Sequence, residues 1–370
     1  MNLKLAPLVM AFFLSGPATP QSLSFAPLSA PPADMVAMPV GVVGRAAAAN
    51  AGYGVDYSWP LSGAEAWFTG PEVVVRISDA PGRLNVTIDG KDIADLPHPG
   101  KASVTLRNLG DGPGPHHIEI VKYNESLGAT GHILGIYAEA AAAPIPRPVR
   151  GQMEVIGDSW TAGYGNLAKT AWCSGRKLSD STDARQTWGV FTAQALGMEL
   201  RMTAYSGIGM VRNYDGRMPG NTMPVLYDRA TFGDLRPVDA AGWQPSLIVI
   251  SLGGNDFDRP LHYGERWEDE DALRHDFVET YADFVLKLRR LYPKAGIVLM
   301  NYGEGEVMSA TRRILDRLHS EGETQVATYV ASGPFERKGC AFHADVADYR
   351  KIAGGLTDWL RLHPELWQGG

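Results

Sequence analysis

The chain has 370 residues, of which 45% are hydrophobic and 20% charged, and a formal net charge of −7. This length leaves room for two domains and an ample core, and the composition is that of an ordinary globular protein. An acidic balance without a basic stripe argues against binding to a phosphate backbone, so nucleic acid is not an expected partner.

Residues 1–24 carry Lys4, an apolar run from Leu5 to Leu14, and then Ser15-Gly16-Pro17-Ala18-Thr19. The run is too short to span a bilayer and reads as a secretory signal peptide. The expectation is a periplasmic or secreted protein with no membrane contact once the leader is removed. Residues 25–50 are rich in Pro and Ala and read as a linker or an edge segment.

Residues 51–145 carry a β signal. Glu72–Ile77 and Leu84–Ile88 read as strands, with Asp89-Gly90 as a hairpin turn after the second. Short apolar runs at 104–106, 117–121 and 133–137 continue the pattern, separated by Gly, Pro and Asp clusters, which suggests a β-sandwich of jelly-roll type. His116 and His117 have no companion ligands at metal-site spacing, so they are expected to be surface loop residues. The prolines between Ala141 and Arg150 mark a domain boundary.

From 151 to 370 apolar strands alternate with helical patterns, the signature of a parallel α/β sheet covered on both faces. Strands are expected near 153–156, 200–204, 247–251, 296–300 and 326–330. Leu273, Phe277, Tyr281, Phe284, Val285 and Leu288 recur at helical spacing, and Val346 to Leu360 mark a terminal helix.

Three short motifs carry the chemistry. Gly157-Asp158-Ser159 closes the first α/β strand, which puts a hydroxyl where open α/β sheets bind ligands and beside the free N–H groups of a helix start. Gly253-Gly254-Asn255-Asp256 follows the strand 247–251, and His343 precedes the last helix. Ser159 is the candidate nucleophile and His343 the candidate base, since imidazole titrates near neutral pH. The backbone N–H groups of Ser159 and Gly207 and the Asn255 side-chain amide are the candidate oxyanion donors. This order of motifs resembles the SGNH (GDSL-type) hydrolases. It differs from the α/β-hydrolase elbow, because Thr161 stands where the closing Gly of Gly-x-Ser-x-Gly would be.

Further blocks narrow the resemblance. Ala204-Tyr205-Ser206-Gly207-Ile208-Gly209, Arg212–Gly216, Met223–Arg229, Trp243-Gln244-Pro245, Leu252–Phe257 and Gly339–His343 together resemble carbohydrate esterase family 2. That resemblance covers about residues 50–362. It implies an N-terminal β-sandwich joined to a C-terminal SGNH domain, and removal of O-acetyl groups from plant polysaccharides such as acetylxylan or acetylated mannan, with a preference for the sugar 6-position. It implies no metal and no organic cofactor.

The chain departs from the family pattern in two places. Cys340 stands three residues before His343, where SGNH enzymes carry Asp, and Ala341 is not acidic either. Some relatives resemble a Ser–His dyad held by a backbone carbonyl, and the same is expected here. Asp158, Asp256 and Asp345 are the other carboxylates within reach in sequence; Asp158 and Asp256 are expected to brace their own loops. Ala344 replaces a usual Pro.

Of the aromatics near these blocks (Trp160, Tyr164, Trp172, Tyr214, Phe257 and Phe342), Trp160 and Phe257 are the leading candidates for sugar contact. Cys173 and Cys340 either pair, stapling two site loops, or are unrelated thiols. The β-domain is expected to shape one wall of the cleft. Two alternatives to a polysaccharide deacetylase stay open: a glycan-binding protein with a decayed esterase site, or an esterase acting on acetylated peptidoglycan or exopolysaccharide.

Overall fold

Asp89 and Gly90 both take positive φ (52° and 75°), which makes the two-residue turn that lets the strand Arg83–Ile88 fold back on the strand Lys91–Pro97. In the computed structural model the described residues are 22–109, 115–126, 128–145, 150–233, 235–238, 242–303 and 305–368. The leader expected over residues 1–24 lies outside them, except for Ser22, Leu23 and Ser24.

The N-terminal domain is antiparallel throughout. Its strands are β1 (Ser22–Pro27), β2 (Val36–Ala37), β3 (Gly41–Val43), β4 (Ala46–Ala49), β5 (Gly54–Tyr57), β6 (Gly63–Asp79), β7 (Arg83–Ile88), β8 (Lys91–Pro97), β9 (Gly100–Arg107), β10 (His116–Lys122) and β11 (Gly131–Ala141). β6 is the central strand of this sheet: its first half pairs with β3 and β10, and most of its second half with β9 and β11. Gly70-Pro71 lies at the changeover, where Gly70 has φ +106°. Alternate side chains of these strands, among them Phe68, Val75, Ile77, Val86, Val104, Ile118 and Ile120, fill the core.

Residues 25–50 are not a free linker. β1 pairs with β9, β2 with β11, β3 with β6 and β4 with β5, so this segment edges the sheet. His116 and His117 are likewise not loop residues. Both lie buried on β10, with His116 Nδ1 2.9 Å from Asp89 Oδ2 and His117 Nε2 2.8 Å from Glu65 Oε2. The Gly/Pro cluster before them hid the start of the strand.

The second domain is a five-stranded parallel sheet of β12 (Gln152–Gly157), β13 (Glu199–Ala204), β14 (Leu247–Ser251), β15 (Gly296–Asn301) and β16 (Val326–Val330). Its spatial order is β13-β12-β14-β15-β16. β14 is buried along its whole length, as a strand covered on both faces must be. The helices are α1 (Ser159–Ala162), α2 (Arg176–Asp180), α3 (Trp188–Leu196), α4 (Met223–Leu226), α5 (Gly254–Phe257), α6 (Glu270–Leu291), α7 (Glu306–Ser320) and α8 (Val346–Leu362). Leu273, Phe277 and Leu288 of α6 and Ile314 of α7 cover one face. Trp188 of α3 and Tyr349, Ile352 and Leu356 of α8 cover the other. Among the described residues no helix is long and apolar enough to cross a membrane.

The two domains are joined by a buried ion pair. Arg45 reaches from the bend between β3 and β4 to Glu154 Oε1 of β12 at 3.1 Å, to Thr203 Oγ1 at 2.9 Å and to the Tyr227 carbonyl at 2.6 Å. Glu154 also accepts from Thr203 Oγ1, Tyr227 Oη and Trp243 Nε1.

Candidate active site

In the order β13-β12-β14-β15, the chain leaves β12 toward β13 and leaves β14 the opposite way toward β15, and ligands of such sheets bind outside the carboxyl ends of the strands at that crevice. β12 ends at Gly157, where any side chain would collide with Thr161 Oγ1. Asp158 then caps the one-turn helix α1 by accepting from the Trp160 N–H at 3.0 Å. Ser159 stands at the first position of α1, buried at its base and lining a cleft of about 1110 Å³.

His343 comes from the far end of the chain, between β16 and α8. A single turn over Cys340–Phe342 delivers it, and its Nε2 lies 2.8 Å from Ser159 Oγ. Its Nδ1 is 2.9 Å from the Cys340 carbonyl oxygen, which fixes the proton on Nδ1 and leaves Nε2 as the acceptor. The Tyr164 ring is 4.6 Å away and the Trp160 ring 6.4 Å. Burial holds the imidazole below its ordinary pKa, and the nearby Arg337 guanidinium pushes the same way against the pull of the Cys340 and Ala341 backbone. The neutral, proton-accepting form is therefore favoured.

None of the three sequence-flagged carboxylates touches His343. Asp345 caps α8 through the Asp348 N–H at 3.0 Å. Asp256 accepts the N–H groups of Met210, Val211 and Arg212 and so ties down the loop after β13. Asp158 caps α1 and accepts from Asn255 Nδ2 at 3.2 Å. Burial pushes the Asp158 carboxyl up to about 7 and that of Asp256 up to about 6.

Gly207 and Asn255 line the same cleft as Ser159 and His343. Gly207 has φ +80°, which favours glycine. Asn255 Nδ2 also donates to the Ile208 carbonyl at 2.9 Å, so the amide is pinned between the Asp158 loop and the Gly207 loop. Trp160 lines the cleft, its ring packed against Tyr302 at 4.6 Å. Phe257 does not line it. Half-buried, it packs on Phe277 of α6 at 4.9 Å, against the core. Tyr164, Trp172, Tyr214 and Phe342 do line the cleft, with Trp172 83% and Phe342 54% exposed.

Cys173 and Cys340 are paired, their Cα atoms 5.6 Å apart, which is an ordinary disulfide span. The bridge fixes the residue whose carbonyl holds His343. Gly165 passes directly beneath Cys340, at a point where a Cβ would lie 2.3 Å from its sulfur. The cleft is lined by residues of the second domain, so the β-domain does not form the expected wall. It approaches through Glu125, behind the loop that carries Gly207. Neither Glu125 nor Arg337 carried a signal in the sequence, since each reads as an ordinary charged loop residue.

Among the described residues one group has the donor set for a cation. Glu65, His117 and Glu119, on the neighbouring strands β6 and β10, bring a ligand atom each to within 4.8 Å of one another. The group belongs to the β-domain, away from the cleft.

A hydroxyl and an imidazole within hydrogen-bond distance at the switch point of a five-stranded parallel sheet, with no Gly-x-Ser-x-Gly elbow, form an arrangement suited to acyl transfer. The GDSL-like lipase/acylhydrolase family matches residues 155–363, and the carbohydrate esterase 2 N-terminal family matches residues 42–148. An acetylxylan esterase/glucomannan deacetylase of Cellvibrio japonicus is 31% identical over 336 residues, covering 89% of this chain and 92% of its own. A solved carbohydrate esterase, described as having an active site with divergent catalytic and non-catalytic binding functions, superimposes with a TM-score of 0.78 at 29% identity. It covers 88% of this chain and 98% of its own. A family two carbohydrate esterase from Clostridium thermocellum, solved with cellohexaose, shares the fold (TM-score 0.73, 23% identity, 88% and 99% covered). The chain belongs to carbohydrate esterase family 2, and is by class a carbohydrate O-acetylesterase.

Proposed function

We propose that this chain removes O-acetyl groups from a polysaccharide of the acetylxylan or acetylmannan type, through a Ser159–His343 dyad and an acetyl-enzyme. Ser159 Oγ attacks the acetyl carbonyl as its proton passes to His343 Nε2. The resulting oxyanion lies toward the Ser159 and Gly207 N–H groups, and the Asn255 amide joins them by turning to it one of the two N–H groups that it otherwise gives to Asp158 and the Ile208 carbonyl. Collapse breaks the ester bond, and the leaving sugar oxygen takes the proton back from Nε2. Water, deprotonated by the same nitrogen, then attacks the acetyl-enzyme, releasing acetate and restoring Ser159.

The observation that carries this reading is the pair of contacts on one imidazole, 2.8 Å to Ser159 Oγ and 2.9 Å to the Cys340 carbonyl. A carbonyl can orient the ring and accept the Nδ1 proton's hydrogen bond, which is the part a carboxylate plays in a triad. The named activity of the Cellvibrio relative supports the choice of substrate. Export fits the apolar leader and the disulfide.

The test is Ser159→Ala beside wild type, assayed for p-nitrophenyl acetate hydrolysis and for acetate release from acetylated xylan, glucomannan and peptidoglycan. The variant should keep its fold and lose activity on every substrate. Retained turnover would remove Ser159 as nucleophile, and release confined to peptidoglycan would remove the plant polysaccharide. Cell fractionation for the mature protein in the periplasm or medium tests export.

A further inference from the structure

The loop between β10 and β11 carries a glutamate that leaves its own domain. Its neighbours Tyr123, Asn124 and Ser126 are all buried. Asn124 Oδ1 accepts the Arg83 N–H at 2.8 Å, and its Nδ2 donates to the Pro81 carbonyl at 3.1 Å and to Ser179 Oγ at 2.8 Å. Ser126 closes the far side by taking the Ala129 N–H on its carbonyl at 2.8 Å. A side chain emerging between such anchors has a fixed starting point.

Glu125 uses that fixed point to hold Ser206. One carboxylate oxygen accepts the Ser206 backbone N–H at 2.5 Å and the other accepts the Ser206 hydroxyl at 2.5 Å. Ser206 immediately precedes Gly207. On the other side of Gly207, its carbonyl accepts the Tyr214 N–H at 2.8 Å. The peptide that presents the Gly207 N–H is thus clamped from both directions, once by the β-domain and once by its own loop.

We propose that Glu125 is a positioning residue for the oxyanion donor of Gly207, so that the β-domain completes the catalytic site without lining the cleft. The inference rests on the reading of Ser159, Gly207 and Asn255 as the reacting centre. A donor must sit where charge develops, and a displacement of about 1 Å costs on the order of 10²-fold in rate. Gly207 has the backbone freedom of glycine, and a Cβ placed on it would meet only Tyr214, at 3.7 Å, so its own surroundings hold it loosely. The rigidity must come from the adjoining residues, and the two short bonds to Glu125 supply it. The partnership is mutual. Burial pushes the Glu125 carboxyl up to about 7, while the two Ser206 donors and Lys122 pull it back toward the charged, accepting form.

The experiment compares Glu125→Ala, Glu125→Gln and Ser206→Ala in the full chain, by steady-state kinetics on p-nitrophenyl acetate with thermal unfolding alongside. Gln can accept the Ser206 N–H on its carbonyl and donate its amide to the hydroxyl, so it keeps both anchor points. Glu125→Ala should lower kcat by about 10- to 100-fold with KM within about twofold. Glu125→Gln should recover most of that loss, and Ser206→Ala, which removes one bond of the two, should fall between. A wild-type kcat in Ser206→Ala, or in Glu125→Ala with only Tm reduced, would overturn the proposal. So would a Gln variant as slow as the Ala variant. Should Glu125→Ala fail to fold, the Gln and Ser206→Ala kinetics decide alone. If the reading of the reacting centre is itself wrong, Ser159→Ala stays active. If only the Glu125 inference is wrong, Ser159→Ala is dead while the Ser206 and Glu125 variants turn over normally.

Discussion

Arg45 and Glu154 are 109 residues apart in sequence, belong to different domains, and meet at 3.1 Å with both side chains fully buried. Glu154 sits on β12, three residues before Gly157 and five before Ser159, so the joint between the domains is also the footing of the strand that leads into Ser159. Replacing Arg45 by Ala leaves a buried carboxylate without its counter-charge, which typically costs about 3–5 kcal/mol. We expect the variant to unfold at markedly lower denaturant. Arg45→Met paired with Glu154→Leu should recover part of the loss, since both charges are then gone. Equilibrium unfolding of the single and double variants measures this; an unchanged midpoint for Arg45→Ala would contradict it.

The parallel sheet was legible because a strand covered on both faces must be apolar at nearly every position. Met153–Ile156, Leu247–Ser251 and Gly296–Met300 declare themselves that way, each ending near a Gly or Asn. The order of Ser159, Asn255 and His343 was legible for a related reason, since short polar motifs at strand ends stand out against those runs. Arg45 and Glu125 were not. A charged residue in an Ala-rich edge or a loop reads as solvated, and only a partner 109 or 81 residues away makes burial tolerable. Phe257 was misplaced by helix geometry. Two residues beyond Asn255 on the one-turn α5, at about 100° per residue, it faces away from the side that carries the amide. Periodicity is blind to contacts made across the chain, and adjacency in sequence does not fix which face of a helix a side chain takes.

The Cys173–Cys340 bridge should matter for turnover as well as stability, because Cys340 supplies the carbonyl that orients His343. Removing a native disulfide commonly costs about 2–5 kcal/mol. Cys173→Ser leaves Cys340 in place but releases its loop. We expect a lower Tm and a kcat on p-nitrophenyl acetate reduced by about tenfold, an effect of the misplacement kind. Wild-type enzyme assayed with and without dithiothreitol gives the same comparison without mutation. A drop in Tm with kcat untouched would leave the bridge a purely structural role.

Two pH dependences follow from the buried groups, with opposite signs. His343 is held below its ordinary value, so the acid limb of kcat/KM should fall below about 6.5, the imidazole norm. The same shift means the folded state binds fewer protons than the unfolded one as pH falls through that norm, so this contribution to stability is lost on acidification. Asp158, Glu125 and Asp256 behave oppositely. Their folded values are raised to about 7, about 7 and about 6, against about 4 for free carboxyls. The folded state therefore holds extra protons between those limits, and stability decreases as pH rises through them. Three carboxyls outweigh one imidazole, so Tm should fall between pH 5 and pH 8. Thermal scans across that range check the balance, and a Tm that rises steadily to pH 8 would mean the three acids are ionised at little cost.

Trp172 presents 83% of its surface to solvent at the rim of the cleft, edge-on to Phe342 at 5.9 Å and next to the bridged Cys173. An indole so exposed contributes little to folding, and its flat face, anchored by the neighbouring disulfide, suits a pyranose ring. A small ester need not reach it, whereas a polymer that extends from the reacting acetyl group over this rim would meet it. We expect Trp172→Ala to raise KM for acetylated polysaccharide by about tenfold, equivalent to ~1.4 kcal/mol. For p-nitrophenyl acetate, kcat/KM should stay within about twofold, and Tm should hold because little core is removed. Phe257→Ala is the contrasting case, since that ring packs on Phe277. It should lower the unfolding free energy by about 3–5 kcal/mol at most, with a matching fall in Tm, and have no selective effect on polymer. If Trp172→Ala affects both substrates equally, or neither, the rim is not where the chain grips its glycan.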